Sequence, residues 1–301
     1  MKTKYDAREI RGLFERGENI VQWIRSREGA KHNSPTAIAY SYDMQAGSYF
    51  AELEDPLILD LKQRLGRRLA SVLDGLAPQS LLDAGVGEAT SLVPTLAIMA
   101  SPPAQVLGFD LSLSRLLYAR RHLIEHGRND VTLFVGELDR IPLADSSVDV
   151  VLTLHAVEPN RGQEEAILAE LLRVARHHLV MVEPCYEQSG EETQAWIDRH
   201  GYVRGLPETL ERLGHKARLI ERFGVDQNPV NQAFLFIADK AGGEPARAGQ
   251  FISPISGRPL VRRSDCWFCP DDGHAFPVIR GIPCLTVENA VLVSKLDQFD
   301  R

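Results

Sequence analysis

Three stretches of this chain hold side chains whose types and spacing suit the binding of a small molecule. In LLDAGVGEAT, residues 81–90, Asp83 and two glycines, Gly85 and Gly87, follow a short apolar run and precede a helical segment. Glycines at that place let the backbone approach a ligand. Asp110 closes the run VLGFD, 27 positions after Asp83, where a carboxylate can accept two hydrogen bonds from a ribose diol. GELDRIPLADSSVDVV, residues 136–151, puts Glu137 and Leu138 at the end of a third apolar run. Each stretch alone has a plainer reading, as a tight turn, a helix cap or a loop. Together they outline one binding edge.

Further chemistry is available downstream. LTLHAVEPNRG carries His155, Glu158 and Asn160, and MVEPCYE carries Glu183 and Tyr186. Glu158 and Glu183 each precede a proline, which biases their backbones toward extended forms, so both project from loops. His155 is either a general base or an imidazole packed in place with a satisfied hydrogen bond, and the two carboxylates are either site groups or caps and surface charges. Upstream, in AYSYDMQAGSY, Tyr42, Gln45 and Tyr49 fall at helical spacing with polar tips suited to a lid, or to ordinary packing. Arg115, Arg120, Arg121 and Arg128 lie on a predicted helix and read as solvated surface.

The elements that position these groups follow from periodicity. Ser34-Pro35 and Asp55-Pro56 each place a capping side chain before a proline, the signature of a helix start. After the second, Ile58, Leu61, Leu65, Leu69, Val72 and Leu76 form one apolar face. From residue 80 short apolar runs (81–82, 105–109, 131–135, 148–154 and 179–182) alternate with helical segments (92–99, 113–126 and 164–174). That alternation implies parallel strands with right-handed crossovers, hence an open doubly wound sheet. Helices near 191–200 and 207–213 precede runs at 217–223 and 232–238, which are close enough to pair as a hairpin. AGGEPARAG, residues 241–249, reads as a linker to a second module of about fifty residues.

Composition bounds the function. The 301 residues are 44% hydrophobic and 25% charged, which suits a folded protein of one large domain or a large and a small one. A net charge of −7, from 34 basic against 41 acidic side chains, disfavours a nucleic-acid partner. The first twenty residues lack a signal-peptide core, and no run approaches the roughly twenty apolar residues of a membrane span, so a cytoplasmic location is expected. Four cysteines (Cys185, Cys266, Cys269, Cys284) are too few for a disulfide framework, and only Cys266-x-x-Cys269 has ligand-like spacing.

On these residues the chain resembles the class I S-adenosylmethionine-dependent methyltransferases over about 81–182. The resemblance implies that Asp83, Gly85 and Gly87 line the methionine end of the cofactor. Asp110, with Leu111 beside it, would hold the ribose hydroxyls, and Glu137 with the Leu138 backbone would read the adenine edge. It further implies that His155 and Glu158 serve the transfer, His155 lying near the methionine, and that Asn160, Glu183 and Tyr186 line the acceptor pocket. The segment with Tyr42, Gln45 and Tyr49 resembles the lead-in that closes over the cofactor in many members. Where the family usually has a third glycine this chain has Ala89. A nicotinamide fingerprint asks for glycine or alanine where Thr90 stands, and leaves the PLADSSVD loop without a role.

The tail, residues 253–285, resembles the small zinc-ribbon domain related to the activator subunit of tRNA and protein methyltransferases, most closely in GHAFPVIRGIP. That family has two Cys-x-x-Cys knuckles. Here Ser253-Pro-Ile-Ser256 stands at the first and Cys269-Pro-Asp-Asp272 at the second, so three of four ligands are missing and zinc is disfavoured. A set of Cys266, Cys269 and Cys284 with His274 is the alternative. Fifty residues without metal bury little core, so the tail is expected to dock on the main domain or on a second subunit, a homodimer being one option.

The expected fold is α/β: a doubly wound, mostly parallel, seven-stranded Rossmann-like sheet with an antiparallel last strand, an N-terminal helical lid and a small β-rich C-terminal domain. The expected division is a lid at 1–60, a class I methyltransferase domain at 61–240 and a metal-free zinc-ribbon-like domain at 250–301. The expected reaction moves a methyl group from S-adenosylmethionine to an oxygen or nitrogen of a small-molecule acceptor, leaving S-adenosylhomocysteine. An RNA or protein acceptor, and a non-catalytic cofactor-binding subunit, are the alternatives.

Overall fold

The computed structural model describes residues 5–242 and 249–299, and most of the expected linker at 241–249 falls outside them. Five helices come first: α1 (Ala7–Glu15), α2 (Ile20–Glu28), α3 (Pro35–Met44), α4 (Ser48–Glu52) and α5 (Pro56–Leu76). Both proline starts form as read. The Ser34 hydroxyl accepts from Ala37 N at 3.2 Å and the Asp55 carboxylate from Leu57 N at 2.8 Å. Ile10, Leu13, Ile20, Ile24 and Ala37 close a small core among the first three helices. α5 runs unbroken through residues 60 and 61, where the boundary between the N-terminal helices and the main domain is expected.

Strands β1 (Ser80–Ala84), β2 (Gln105–Asp110), β3 (Thr132–Val135), β4 (Val148–Leu154) and β5 (Ala175–Pro184) are linked through α6 (Leu92–Ile98), α7 (Leu113–Glu125) and α8 (Glu164–Val174). α9 (Glu191–His200) and α10 (Leu206–Arg212) lead to β6 (Ala217–Arg222) and β7 (Ala233–Asp239). The seven strands lie in the order β3-β2-β1-β4-β5-β7-β6, parallel except for β7, which is antiparallel to both of its neighbours. The strands are apolar on both faces because both faces are covered. Leu81, Val106 and Val150 pack toward α5, α6 and α7, whereas Leu82, Leu107 and Val151 pack toward α8 and the tail.

β5 begins four residues earlier than its apolar run suggests, directly from the end of α8. The polar Arg176, His177 and His178 conceal it in the sequence. They sit at the lower rim, where His178 Nδ1 lies 2.9 Å from Asp239 Oδ1 on β7 and Arg176 lies 3.7 Å from Asp149 on β4. Among the described residues no helix is long and apolar enough to cross a membrane.

The tail folds as β8 (Val261–Arg262), β9 (Cys266–Cys269), β10 (His274–Ile279), β11 (Ile282–Pro283) and β12 (Val291–Leu292). Its sheet has the order β11-β10-β9-β8, with β12 also on β10. It docks on the main domain of its own chain. Cys284 bridges Val135 in parallel, and Leu285 N donates to Val135 O at 2.9 Å, so the tail covers the free edge of β3. Beneath the sheet, the rings of Phe109, Phe134, Phe251 and Trp267 follow one another at centroid separations of 5.3, 5.1 and 4.9 Å.

Cys266 and Cys269 lie on β9 and not in a knuckle, and residues three apart on a strand face opposite sides. Cys284 sits away from both, at the edge of β3, so the alternative ligand set is not assembled. The four positions matching the zinc-ribbon knuckles do converge, on a carboxylate. Asp272 accepts from Ser253 Oγ at 2.7 Å, from Ser256 Oγ and from His274 N at 3.0 Å, while Ser256 Oγ lies 3.8 Å from Cys269 Sγ. Two hydroxyls donating to one carboxylate do not fit a zinc centre, which wants thiolate or imidazole at those corners. Burial alone would raise the Asp272 pKa, but the Ser256, Ser253 and His274 donors override it and hold the group at about 2. A depressed carboxylate pKa contributes stability that is present above the unfolded value and lost as pH falls through the folded one. The melting temperature of the protein should therefore exceed that of Asp272→Asn above about pH 4, with the gap closing toward pH 2. A gap independent of pH in thermal melts would remove Asp272 from this role.

Candidate active site

The site is built where two loops leave adjacent strands. Gly85, after β1, has φ +88° and its absent Cβ would fall 2.3 Å from the Ala156 Cβ in the loop after β4, so no other residue fits. Gly87 has φ +55°, and nothing lies nearer to its missing Cβ than Arg115 Nη1 at 3.6 Å, which leaves a cradle open to a ligand. Ala89 takes φ +57° in place of the family's third glycine, a left-handed conformation that costs an L-residue roughly 1–2 kcal/mol. Gly85 N and Val86 N both donate to Phe109 O at 2.9 Å, tying this loop to the end of β2.

A cavity of about 410 Å³ runs along the carboxyl ends of β1 to β4 beneath the helical lid. Asp83, Gly85, Gly87, Asp110, Leu111, Glu137 and Leu138 all reach it, in the order in which the sequence places them on the sheet edge. Burial, reinforced by the charge of Asp110, pushes the Asp83 carboxyl up to about 7. Asp110 accepts from Gly87 N at 3.1 Å and from Ser112 N at 2.9 Å, one bond to each oxygen, so further acceptor capacity faces the cavity. Burial raises the Asp110 pKa as well, opposed by Arg115 and these amides. Glu137 is pushed up to about 7 by burial and then by Glu288 of the tail and Asp139.

The lid contributes Tyr42 and Tyr49 to the cavity but not Gln45. Gly47, at φ +95°, breaks the chain between α3 and α4, so the three residues do not share one helix face. Gln45 instead donates to Ser41 Oγ at 2.9 Å and faces a second hollow behind the lid. Glu88 fastens the break to the glycine loop, accepting from Gly47 N at 2.9 Å and from Phe50 N at 2.7 Å.

Arg115 corrects the reading of its run as solvated surface. It is only 6% exposed and lines the cavity. Its Nε donates to Tyr42 O at 3.2 Å, and its guanidinium lies 4.5 Å and 4.8 Å from the ring centroids of Tyr42 and Tyr49. Its buried Nη2 has no protein partner. The signal was present in the sequence, because Arg115 follows the α7 cap Ser112 by three residues and so belongs to the first helical turn after Asp110. Arg121 and Arg128 do pair at the surface, with Glu125 and Asp130, and Arg120 donates to Arg280 O.

On the far side of the Gly85–Ala156 contact, His155 has φ +53°, its Nδ1 lies 2.7 Å from Glu158 Oε2, and its ring borders the cavity. Burial by itself would lower the imidazole pKa, yet the charge and hydrogen bond of Glu158, with Glu183 behind, hold it at about 9. The raised pKa favours the protonated imidazolium, a donor from Nε2, over a neutral base. Glu158 lies beneath it, 6% exposed, and also accepts from Asn231 Nδ2 at 3.1 Å.

Asn160 reaches the cavity while its amide donates to Ala156 O at 3.0 Å. Glu183 and Tyr186 do not line it. Glu183 is fully buried and accepts from Ala156, Val157 and Glu158 N at 3.0–3.1 Å, so it holds the loop instead of meeting a substrate. Tyr186 stacks under the Arg204 guanidinium at 3.8 Å. Sequence reasoning missed Lys62, a 9% exposed cation on the apolar face of α5, and Asn231, from the β6–β7 connection, both on the cavity wall.

Residues 81–178 match the family model of the methyltransferase domain. The malonyl-acyl-carrier-protein O-methyltransferase of Methylococcus capsulatus is 31% identical over 118 residues, covering 38% of this chain and 41% of that relative, so the match spans about two-fifths of its length. Among solved structures, the magnesium protoporphyrin IX methyltransferase of Synechocystis, with bound S-adenosylhomocysteine, is similar in fold with a TM-score of 0.55. It is 13% identical, over 69% of this chain and all of that one. A chain from the complex of the Haloferax volcanii methyltransferase activator with its candidate methyltransferase gives a TM-score of 0.52 at 13% identity, again over 69% of this chain and all of that one.

Arg115 clamps the lid through one hydrogen bond and two ring contacts, worth roughly 1–2 kcal/mol together. Amide exchange across residues 42–50 should accelerate roughly 5- to 30-fold in Arg115→Met, with β1 unaffected. Unchanged exchange in that segment would show that Arg115 does not restrain it.

Proposed function

With residues 81–178 matched as a methyltransferase domain, we propose that this protein moves a methyl group from S-adenosylmethionine to an oxygen or nitrogen of a small-molecule acceptor. The observation that carries the reading is the row of groups along one cavity wall: Asp83 and the Gly85–Gly87 loop after β1, Asp110 after β2, Glu137 and Leu138 after β3. The cofactor would supply a methyl carbon made electrophilic by its sulfonium. Asp83 would face the cationic methionine end, and the unpartnered Nη2 of Arg115 would offer a donor to an anionic group. Asp110 keeps free acceptor positions for a ribose diol. Glu137, with its raised pKa, and the Leu138 backbone suit the mixed donors and acceptors of an adenine edge.

Displacement at a methyl carbon asks chiefly for alignment, with the nucleophile at about 3–3.5 Å and in line. Tyr42 and Tyr49 close the cavity from the lid side and exclude water. His155, held through Nδ1 by Glu158, presents Nε2–H where the β4 loop meets the cavity and would orient the acceptor. Cavity size supports a small acceptor, and the relative named as an O-methyltransferase supports oxygen over nitrogen. The acidic charge argues against nucleic acid, and only four cysteines in 301 residues suit a reducing, cytoplasmic setting.

Calorimetric titration tests the reading. S-adenosylmethionine and S-adenosylhomocysteine should bind saturably and nicotinamide dinucleotides should not. Asp110→Ala removes a charged acceptor of two hydrogen bonds, roughly 2–4 kcal/mol, so affinity should fall roughly 30-fold or more. No binding in folded protein shown to be free of cofactor would overturn the assignment, and unchanged affinity in a folded Asp110→Ala would remove the ribose role.

A further inference from the structure

We propose that the acceptor presents a carboxylate, held by Lys62 and His155, and that the product is a methyl ester. The proposal rests on the methyl-transfer reading above and adds the acceptor's chemical class.

Past the Gly85–Ala156 contact the cavity is walled by α5, the β4 loop and the β6–β7 connection, which bring Lys62, His155, Asn160 and Asn231 to its surface. Both ionisable groups here have donors to spare. Lys62 is 9% exposed and has no carboxylate within ion-pair distance among the described residues; burial lowers its pKa, the charges of Glu52 and Glu88 oppose that, and its ammonium lies 5.8 Å from the Tyr49 ring centroid. His155 spends Nδ1 on Glu158, which leaves Nε2 without a protein partner.

The carboxylates that could take up a proton are committed elsewhere. Glu158 serves His155 and Asn231, Glu183 serves three backbone amides, and Glu88 is turned to Gly47 and Phe50. On the reading above Asp83 and Asp110 serve the cofactor. An alcohol or ammonium acceptor must lose a proton to react, and the carboxylates beside His155 are already engaged. A carboxylate needs none, and a buried lysine with no ion pair among the described residues, beside an imidazole whose Nε2 is left over from its bond to Glu158, offers the donors its charge requires. One carboxylate oxygen donates its lone pair to form the O–CH3 bond, the S–CH3 bond breaks with its pair left on sulfur, and no proton moves.

The test uses the full chain saturated with S-adenosylhomocysteine and titrated calorimetrically with short- and medium-chain mono- and dicarboxylates, each beside its primary amide and alcohol. At least one carboxylate should saturate, with its amide on the order of tenfold weaker or more. Lys62→Met and His155→Gln, each folded and saturated with S-adenosylhomocysteine, should lose that preference. Methyl groups transferred from labelled S-adenosylmethionine to the small-molecule fraction of a cell extract should be released as volatile methanol by mild base. Amides or alcohols binding as well as the carboxylates, no carboxylate binding to the loaded protein, or base-stable label would each overturn the proposal. Failure to bind S-adenosylhomocysteine at all would instead strike the methyl-transfer reading.

Discussion

Gly85 and Ala156 touch so closely that a single methyl group would drive their loops apart. The contact lies at the β1–β4 boundary, where the strand order reverses and the connections diverge to opposite sides of the sheet. One cavity is lined by Asp83, Asp110 and Glu137 and also by Lys62, His155, Asn231 and, beside the glycine loop, Arg115. Carboxylates and basic groups thus share its wall, a mixture that suits a ligand carrying both signs of charge. Glu183 keeps the contact in register from below, since its carboxylate gathers the amides of the three residues beginning at Ala156. A buried acidic side chain that does not itself line the cavity thus helps set the geometry of its wall.

The sheet was legible because its strands are buried on both faces and read as uninterrupted apolar runs. β4 and α8 fall at the expected residues, and the two proline-led helices begin at the expected caps. β5 was clipped because its first residues are charged, and charge at a sheet's rim satisfies itself across strands without leaving a periodic trace. On the cavity wall, the glycine loop, Asp110, Glu137 and Leu138 were readable, since they depend on strand ends that local pattern fixes. Gln45, Glu183 and Tyr186 were misplaced because sequence spacing gives direction along a helix or strand but not through a broken turn or into a loop's interior. Lys62 and Arg115 were hidden by the opposite problem. A cation inside an apolar or basic stripe looks like a solvated snorkel until tertiary packing closes over it.

The tail closes around a hydrogen-bonded carboxylate. The corners that carry thiolates in the zinc ribbons it resembles hold Ser253, Ser256, Cys269 and Asp272, and the cluster closes through hydrogen bonds onto one carboxylate. A hydrogen-bonded knot of this size is weaker than four metal bonds. The remaining support comes from outside the tail, through Phe251, Leu260, Phe276 and Leu285, which join the main core.

The bridge between Val135 and Cys284 joins residues almost 150 positions apart in the chain. Loop closure over such a span is slow, and contacts of this kind form late. During synthesis the β3 edge therefore emerges long before the strand that covers it, and every newly made chain passes through an interval with an open sheet margin able to pair with a neighbour. The polar Thr132 at the start of β3, and the half-buried Arg128 with its exposed partner Asp130 just ahead of it, stand at the end of that margin where charge and hydration oppose such pairing. What the finished molecule uses as an anchor for its tail is, to the nascent chain, a hazard of timing.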